Sequence, residues 1–308
     1  MISNLTPSAE AFLANVTRVQ RSVDEASREI SSGKRVNVAS DAPDEVGAIL
    51  QLRSDELRNS QIQKNLTMAT TEASAADSAL NSAIQIMDRA RVLGAQGANT
   101  TLDAAGRQSL ADEVQSLQEQ MVSISQTAVQ GRYIFSSDQD GAPAYSFDLT
   151  TPTGVATLST SAATRQVEDP AGGSFAVTKS AGEIFDAQTT DVPPVPAPEN
   201  VFASLNNLRV ALTTNSTDQI TAALSSVEAA SSHLNTEQAF YGSVETRIQN
   251  AVNDSGTYDV QLKTQLSQKE DADVTAAAMT LTQGTTQLQA AFQMQAKMPH
   301  TSLFDFMA

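Results

Sequence analysis

The sequence contains no cysteine, no tryptophan and only two histidines, His233 and His300. The absence of cysteine excludes thiol catalysis, disulfides and thiolate ligands for a metal. Two histidines far apart in sequence do not predict a zinc or iron site, although carboxylate sites remain open on composition alone. Aromatic residues make up 5% of the chain. That is few for a large compact core, because aromatic side chains supply much of the buried area in such cores.

Positive charge is also scarce, since 19 lysines and arginines stand against 35 acidic residues and give a formal net charge of −16. An acidic chain has no general attraction to nucleic acid or to an anionic membrane, so we expect neither as a partner. The residues after Met1 lack the pattern of a cleaved signal peptide. No apolar run reaches the length of about 18 residues that predicts a membrane span. We therefore expect any export to use another route.

Sequence patterns typical of catalysis are missing as well. The chain has no glycine-rich phosphate-binding loop, no dinucleotide-binding glycine motif, no His-Glu-x-x-His helix and no Gly-x-Ser-x-Gly turn. His233 lies beside an apolar helical position, which favours a surface or flanking role. The acidic run 270–273 lacks the ligand spacing of a calcium loop and predicts a solvated helix face or an N-terminal cap. We therefore predict no catalytic, cofactor-binding or metal-binding residue, and a protein that is not an enzyme.

What the chain does contain is apolar residues spaced alternately by four and three positions, the stripe along which one helix packs on another. We call each such stripe a seam. The first seam predicts a helix that starts at Thr6-Pro7 and ends at Gly33 in a left-handed cap. Its members are Leu5, Ala9, Phe12, Val16, Val19, Val23, Ala26 and Ile30. After a loop, Pro43 predicts the start of a second, long helix.

Five further seams predict the remaining helices. They run from Ile62 to Ala90, from Leu110 to Ala128, from Val201 to Leu212, from Ile220 to Val252 and from Val274 to Met298. Gly256 predicts a break or bend, or is tolerated inside one continuous helix. Residues 140–198 differ, because Gly, Pro, Thr and Ser cluster there. Within them, short runs predict strands at 154–158 and 175–178, turn residues predict a hairpin at 171–174, and a proline-rich stretch predicts a linker at 192–198.

The whole pattern predicts a mainly α protein with a small β insertion. The N- and C-terminal arms are expected to form an antiparallel helical bundle or coiled coil, with a projecting middle β domain. We assign 1–42 and 265–308 to terminal coiled-coil arms, and 43–139 with 199–264 to a helical bundle domain. Residues 140–198 form the predicted β-rich outer domain, which ends in the linker.

The seams at the chain ends are poor in large apolar side chains. A fully buried Leu or Val contributes roughly 1.5–3 kcal/mol and an Ala far less. The last seam carries Gly284 and Gln295 where a self-sufficient coiled coil has Leu. Small residues permit close approach of two helices but give weak isolated pairs. The seams are therefore either the core of an ordinary helical bundle or half-sites that neighbouring subunits complete.

Both ends of the chain resemble the flagellin superfamily. The run Glu29–Asp41 is similar to that family's Leu-Ser-Ser-Gly-basic-basic signature with its later asparagine and aspartate. Arg58 and Asn65 in the following helix, and the runs Met87–Leu93 and Gln96–Thr100, continue the match. The resemblance covers roughly the first 135 and the last 110 residues.

Two other runs resemble one branch of that superfamily, the hook–filament junction proteins. They are Gly131–Ser136 and, at the C-terminal end, Ser302–Phe306. The branch commonly has an asparagine before the Gly-Arg-Tyr sequence, where this chain has Gln130. In the loop after the first helix, the branch usually has two aspartates before a proline, where this chain has Asp41-Ala42-Pro43.

The resemblance implies a structural component of the bacterial flagellum, the junction on which the flagellin filament assembles and which motility requires. Implied partners are further copies of the chain in a ring, the first hook-associated protein on the hook side, flagellin on the filament side, and an export chaperone at the C-terminal helix. It also implies export through the flagellar type III channel without a cleaved signal, and terminal arms that are disordered in the monomer and ordered on assembly. The alternatives are a short flagellin that forms the filament itself and a secreted adhesin with the β insertion as its binding head.

The residues expected to make assembly contacts lie on the two arms and in the loop after the first helix. They are Leu5, Phe12, Val16, Val19, Val23, Ile30, Lys34, Arg35, Asn37, Asp41, Leu281, Leu288, Phe292, Leu303, Phe304 and Phe306.

Overall fold

The computed structural model describes residues 7–159, 161 and 163–297. Its helices are α1 (Pro7–Ser32), α2 (Val46–Gly97), α3 (Ala104–Ser125), α4 (Ala181–Phe185), α5 (Val201–Thr213), α6 (Thr217–Glu270) and α7 (Val274–Lys297). Its strands are β1 (Ala128–Val129), β2 (Arg132–Tyr133), β3 (Tyr145–Phe147), β4 (Val155–Thr157), β5 (Gln166–Glu168) and β6 (Ser174–Ala176). This is the mainly α architecture with small β elements that the sequence predicts. The helix start expected at Thr6, the end of the last seam at Met298 and His300 lie outside the described residues.

Several helix ends have a local cause in the sequence. Gly33 adopts a φ of +71° directly after α1, and its N–H donates to the carbonyl of Glu29 at 2.8 Å. The predicted left-handed cap is thereby confirmed. Asp103 caps α3 and Asn200 caps α5, because each side chain accepts a hydrogen bond of 2.8 Å from the backbone N–H three residues ahead.

The structure corrects one predicted helix start and decides whether a glycine interrupts a helix. The prediction that Pro43 opens the second helix is wrong, because Pro43 lies in a turn and α2 begins at Val46. In that turn the carbonyl of Ala42 accepts the N–H of Val46 at 3.1 Å. Gly256 lies inside the continuous helix α6, and a Cβ added there would meet no atom within 4 Å. The helix therefore tolerates this glycine, which was one of the two alternatives.

The strands form three separate antiparallel pairs, β1–β2, β3–β4 and β5–β6. The first pair is a hairpin closed by Gln130 and Gly131, whose φ values are +52° and +80°. The strand-like sequence Tyr133-Ile134-Phe135 is a strand only as far as Tyr133, because Ile134 and Phe135 turn into the core. The predicted strands at 154–158 and 175–178 are present as β4 and β6, and the predicted hairpin at 171–174 connects β5 to β6.

The chain divides into two compact units. The arm unit comprises Met1–Arg58 and Asp259–Ala308, and the core unit comprises Asn59–Tyr258. The division passes through both α2 and α6. No helix in the described part of the chain is long and apolar enough to cross a membrane.

The core unit has one continuous hydrophobic core, whose buried members lie between Ile62 and Ala251. The seam predicted in α2 is buried at every position, as is the seam predicted in α5. Phe135, Tyr145 and Phe185 bring the β-containing segment into the same core, and Phe185 stacks on Phe202 of α5 with ring centroids 5.8 Å apart. The helices and the short strands of this unit therefore stabilise each other.

Charged side chains also attach the segment around β5 and β6 to the long helices. Arg165 pairs with Glu72 of α2 at 2.7 Å, and Lys179 donates to Glu237 of α6 at 2.9 Å. Both carboxylates are 5% exposed. Buried charges are costly unless they are paired, so these contacts offset the burial of the two glutamates and fix the position of the hairpin.

Candidate assembly interface

Helices α1 and α7 pack against each other in the arm unit. Just after α1, the carbonyl of Gly33 accepts a 3.0 Å hydrogen bond from the N–H of Ala272, just before α7. Farther along, Val23 of α1 lies beside Gly284 of α7. The two helices therefore run antiparallel, and the predicted pairing of the terminal arms is confirmed.

Gly284 sets how closely these helices approach. It is buried, and a Cβ added to it would lie less than 3.0 Å from a methyl carbon of Val23, closer than real Cβ contacts come. Val23 is β-branched and has little freedom to rotate away inside a helix. Gly284 adds little apolar area to the seam, but its small size allows the close helix–helix contact that the seam pattern predicts.

The pair buries its seam only in part. Ala26 and Ala277 are buried at 3% and 4% exposure. The larger residues expected to make assembly contacts are half-buried, namely Phe12, Val16, Val19, Val23, Ile30, Leu281 and Leu288. Phe292 is 55% exposed. Leu5, Leu303, Phe304 and Phe306 lie outside the described residues, and the role of the whole set in assembly stays a prediction.

More large apolar side chains of the arm unit are exposed. Met279 and Met294 of α7 are 63% and 65% exposed, and Leu50 and Leu57 of α2 are 59% and 74% exposed. Single exposed apolar residues are common on protein surfaces. On α7 they accompany a seam that is already incompletely buried, which is the composition of a surface that a further helix can cover.

The loop between α1 and α2 is held by the end of α6. Glu270 is 2% exposed and forms ion pairs with Lys34 of the loop and with Arg53 of α2, the latter at 2.6 Å. Burial acts to raise the pKa of Glu270, but the hydrogen bonds from Lys34 and Arg53 outweigh it and lower the pKa below the usual range. The carboxylate is therefore charged at neutral pH and joins three segments of the arm unit.

Arg35 strengthens the same junction. Its guanidinium donates to Glu45 at 2.6 Å and to the carbonyl of Lys269 at 2.7 Å, while its backbone N–H donates to the carbonyl of Glu270 at 2.7 Å. Beneath the loop, Val36 packs in a small apolar cluster with Ala42, Ile49 and Leu266. Arg35 thus joins the end of α6 to the turn before α2, and Val36 adds apolar packing beneath it.

Asp41 gives the exposed tip of the loop its shape. Its carboxylate accepts the N–H of Val38 at 2.9 Å and that of Asn37 at 3.0 Å. These two backbone hydrogen bonds hold the pKa of Asp41 below its usual range. The side chain of Asn37 in turn donates to the carbonyl of Lys34 at 2.8 Å. The predicted loop residues are therefore brought together in one folded loop with exposed side chains.

Sequence reasoning missed the residue at the centre of this arrangement. A solvated helix face was one expectation for residues 270–273, and it is wrong for Glu270, which is buried by its two cationic partners. The alternative, an N-terminal cap, is confirmed for Asp273, whose carboxylate accepts the N–H of Thr275 and of Ala276 at 3.0 Å. No local signal could identify Glu270, because Lys34 and Arg53 are more than two hundred residues away in the sequence.

Acidic and histidine side chains do not gather into a group of three or more that could hold a metal ion within residues 7–159, 161 and 163–297. His233 is half-buried on α6, and its Nε2 lies 2.9 Å from the carbonyl of Glu183. The flanking position predicted for this histidine is confirmed.

Two family models match the chain. The bacterial flagellin N-terminal helical region matches residues 2–140, and the bacterial flagellin C-terminal helical region matches residues 224–307. Together they cover more than two thirds of the sequence. Their limits enclose α1, the loop that Glu270 holds, and α7.

The chain is also similar to individual flagellar proteins. The chain is 26% identical over 250 residues to flagellar hook-associated protein 3 of Escherichia coli (strain K12), covering 80% of this chain and 74% of that protein. It is 27% identical over 211 residues to flagellar hook-associated protein 3 of Salmonella typhimurium (strain LT2), covering 67% and 64% of the two chains. The solved structure of flagellar hook-associated protein 3 from Legionella pneumophila matches with a TM-score of 0.60 and 13% identity over 71% of this chain and 98% of that one, so it supports the fold.

The paired terminal helices, the loop between α1 and α2, and the two matched regions all agree with the resemblance noted in the sequence. The chain belongs to the bacterial flagellin family.

Proposed function

We propose that this chain is a structural, non-enzymatic component of the bacterial flagellum, which joins the hook to the filament. The observation that carries the proposal is the partly buried α1–α7 pair. Val23 and Gly284 close one contact tightly, while Met279, Phe292 and Met294 of α7 remain exposed. The relatives that share most of the chain's length, both called hook-associated protein 3, support a place at the junction.

In the proposed mechanism, the seams of the arm unit are half-sites. Within one chain, α1 covers one face of α7, and neighbouring subunits of a ring cover the exposed apolar residues. Each fully buried large side chain contributes roughly 1.5–3 kcal/mol, so several shared contacts can hold helices that are weak in isolation. The loop residues Lys34, Arg35, Asn37 and Asp41 supply polar contacts at the edge of the same surface.

The proposal includes the partners and route that the family resemblance implies. Copies of this chain form a ring, with the first hook-associated protein on one side and flagellin on the other. Export follows the flagellar type III channel without a cleaved signal, and a chaperone covers the C-terminal helix before export. The arm helices α1 and α7 become ordered only on assembly, which agrees with the low apolar content of their seams.

Deletion of the gene, followed by electron microscopy of the cells, tests this function. Hooks without filaments, together with flagellin monomers released into the medium, are the expected result. The wild-type gene returned on a plasmid should restore filaments and serves as the control. Filaments of normal length in the deletion strain, with no second copy of the gene present, would contradict the proposal.

A short flagellin is the second candidate, because both matched models describe flagellin regions. Polymerisation of the purified chain distinguishes the two functions. A junction protein is expected to remain monomeric or to form short assemblies, whereas a flagellin forms long filaments without another protein. Filaments seen by electron microscopy in a preparation of this chain alone would favour the second candidate.

A further inference from the structure

The core unit contains a cavity of about 600 Å³ next to β3, β4 and α4. This volume falls within the range of about 300–1,000 Å³ that is typical of small-molecule sites. Phe135 and Tyr145 contribute aromatic groups to its lining, and Ser136, Asp186 and Gln188 contribute polar ones. Nothing in the proposed junction function uses this cavity.

Ser136 lines the cavity and has a buried, unused hydrogen-bonding group at its wall. The residue is 3% exposed, and its hydroxyl has no partner among the described residues. The neighbouring hydroxyls are occupied, since that of Ser137 donates to the carbonyl of Ser161 at 3.2 Å and that of Ser161 donates to Asp138. A buried hydroxyl without a partner is costly, so Ser136 is poised to bind a polar group that enters the cavity.

Asp186 provides a fixed acceptor in the same lining. One carboxylate oxygen accepts hydrogen bonds from Asn200 at 2.7 Å and Gln188 at 2.9 Å, and the other accepts one from the hydroxyl of Tyr145 at 3.1 Å. A carboxylate has about four acceptor positions, so the oxygen facing Tyr145 keeps one free. Burial raises the pKa of Tyr145, with the charge of Asp186 adding to it, so the phenol keeps its proton and remains a donor to Asp186.

The charges of the lining restrict what can bind. Lysine, arginine and histidine are all absent from the described residues that line the cavity, while Glu183 and Asp186 are present. An anionic ligand would therefore be repelled and would find no cation. The combination of a free hydroxyl, a fixed carboxylate, an amide and two aromatic rings suits a neutral molecule with several hydroxyl groups and an apolar face.

We propose that this cavity binds a neutral polyhydroxylated ligand of the size of a hexose. A ligand hydroxyl bonds the Oγ of Ser136, another donates to Asp186, and the carbon-bound face of the ring packs on the aromatic part of the lining. This binding is independent of the proposed junction function, so either can fail without the other.

Gly182 offers a way to close the cavity. It lines the cavity, and a Cβ added to it would lie 3.6 Å from the hydroxyl of Tyr145, which is ordinary contact. Gly182→Ala is therefore expected to be tolerated, whereas the longer side chain of Gly182→Leu fills space that the ligand needs. The pair serves as a matched control for size at one position.

The test is titration of the full chain with D-glucose and with D-glucuronate, followed by calorimetry and by saturation-transfer NMR. Glucose should bind, and glucuronate should bind at least tenfold more weakly because its carboxylate meets two acidic residues. Ser136→Ala should weaken glucose binding about 5- to 10-fold, as expected for the loss of one hydrogen bond. Gly182→Leu should abolish binding and Gly182→Ala should retain it. Ser204→Ala, at a buried serine whose hydroxyl donates to Val201, should leave the affinity unchanged.

Three results would overturn the proposal. One is no glucose binding by the wild-type chain, which would leave water as the occupant of the cavity. Another is equal affinity in the wild type, Ser136→Ala and Gly182→Leu, which would assign binding to another surface. The third is glucuronate binding as strong as glucose binding. Circular dichroism establishes that each variant is folded, and if Gly182→Leu unfolds, Ser136→Ala still decides the outcome.

Discussion

At the scale of single residues, Gln130 has a backbone conformation that hairpin turns usually give to asparagine or glycine. It precedes Gly131 in the two-residue turn between β1 and β2, and both residues have positive φ. Such turns match the twist of the paired strands, and Asn-Gly is their preferred sequence. The asparagine that related junction proteins commonly have at this place therefore has a conformational reason, and glutamine is the less favourable choice.

Gln130→Asn should raise the free energy of unfolding by about 0.5–1 kcal/mol, because asparagine tolerates positive φ better than glutamine does. Urea unfolding followed by circular dichroism measures the change. The same exchange at Gln85, which is exposed on α2, should instead cost a few tenths of a kcal/mol, about the difference in helix propensity. Equal effects at the two positions would contradict this explanation.

Asn59 and Ser255 form a buried polar pair between α2 and α6. The Asn59 amide donates to the Ser255 carbonyl at 3.0 Å, and the Ser255 hydroxyl donates back to the Asn59 side chain at 2.7 Å. Both residues are at most 1% exposed. Asn59 lies three residues before Ile62, where one predicted seam begins. Ser255 lies three residues after Val252, where another predicted seam ends. The seams therefore continue farther than apolar spacing indicates, and the pattern could not reveal it because these positions are polar.

Asn59→Ala should lower the free energy of unfolding by about 1–3 kcal/mol, since it leaves the buried hydroxyl of Ser255 without its partner. The double variant Asn59→Ala with Ser255→Ala should lose less than the sum of the two single variants. A double-mutant cycle in urea gives that coupling. Asn65→Ala, on the exposed side of α2, is the control and should change stability by less than about 0.5 kcal/mol. Additive single effects would argue against a coupled pair.

At the scale of helices, the glycines within α6 and α7 lie in opposite environments. Gly256 is surrounded by open space, whereas Gly284 lies against Val23 of α1. The sequence marks both only as glycines within helical patterns. Their difference depends on which helix lies opposite, and that information is spread over residues far apart in the chain.

Alanine substitutions at the two positions should therefore have opposite effects. Gly256→Ala should stabilise the core unit by about 0.5–1 kcal/mol by reducing the freedom of the unfolded chain, as urea unfolding can measure. Gly284→Ala should separate α1 from α7 at a cost of about 1–3 kcal/mol, and cells with this variant should carry fewer filaments. Adding Val23→Ala removes the clash and should restore filaments in part. A Gly284→Ala strain with normal filaments would contradict the role of the close contact.

At the scale of the whole molecule, the helices were predicted better than the contacts between distant segments. Repeated apolar spacing defined α2 and α5 and their buried faces, because each signal lies within one helix. The short pairs β3–β4 and β5–β6 gave weaker signals, since strands of three residues hold little periodicity. The Glu270 site was not predicted at all, because its partners come from Lys34 and Arg53, and no local pattern joins them.

The division into two units predicts that residues 59–258 fold alone. Every buried member of the large hydrophobic core lies within that range, so the fragment keeps its full apolar burial. The expressed fragment should unfold cooperatively at the same urea midpoint as the corresponding transition of the full chain, and it should fail to restore filaments in a deletion strain. Non-cooperative unfolding of the fragment would mean that the core unit needs the arms.

The antiparallel contact of α1 with α7 also has a consequence for biosynthesis. Arg35 and Lys269, which meet at the closed end of this pair, are 234 residues apart in the chain. The ribosome makes α1 long before α7, so α1 lacks this intramolecular partner while the intervening residues are being synthesised. A product that stops before Val274 lacks α7 altogether, whatever the state of its core unit. The contact therefore reports that translation has passed α7, and incorporation that depends on it excludes chains terminated before α7 from the assembled structure.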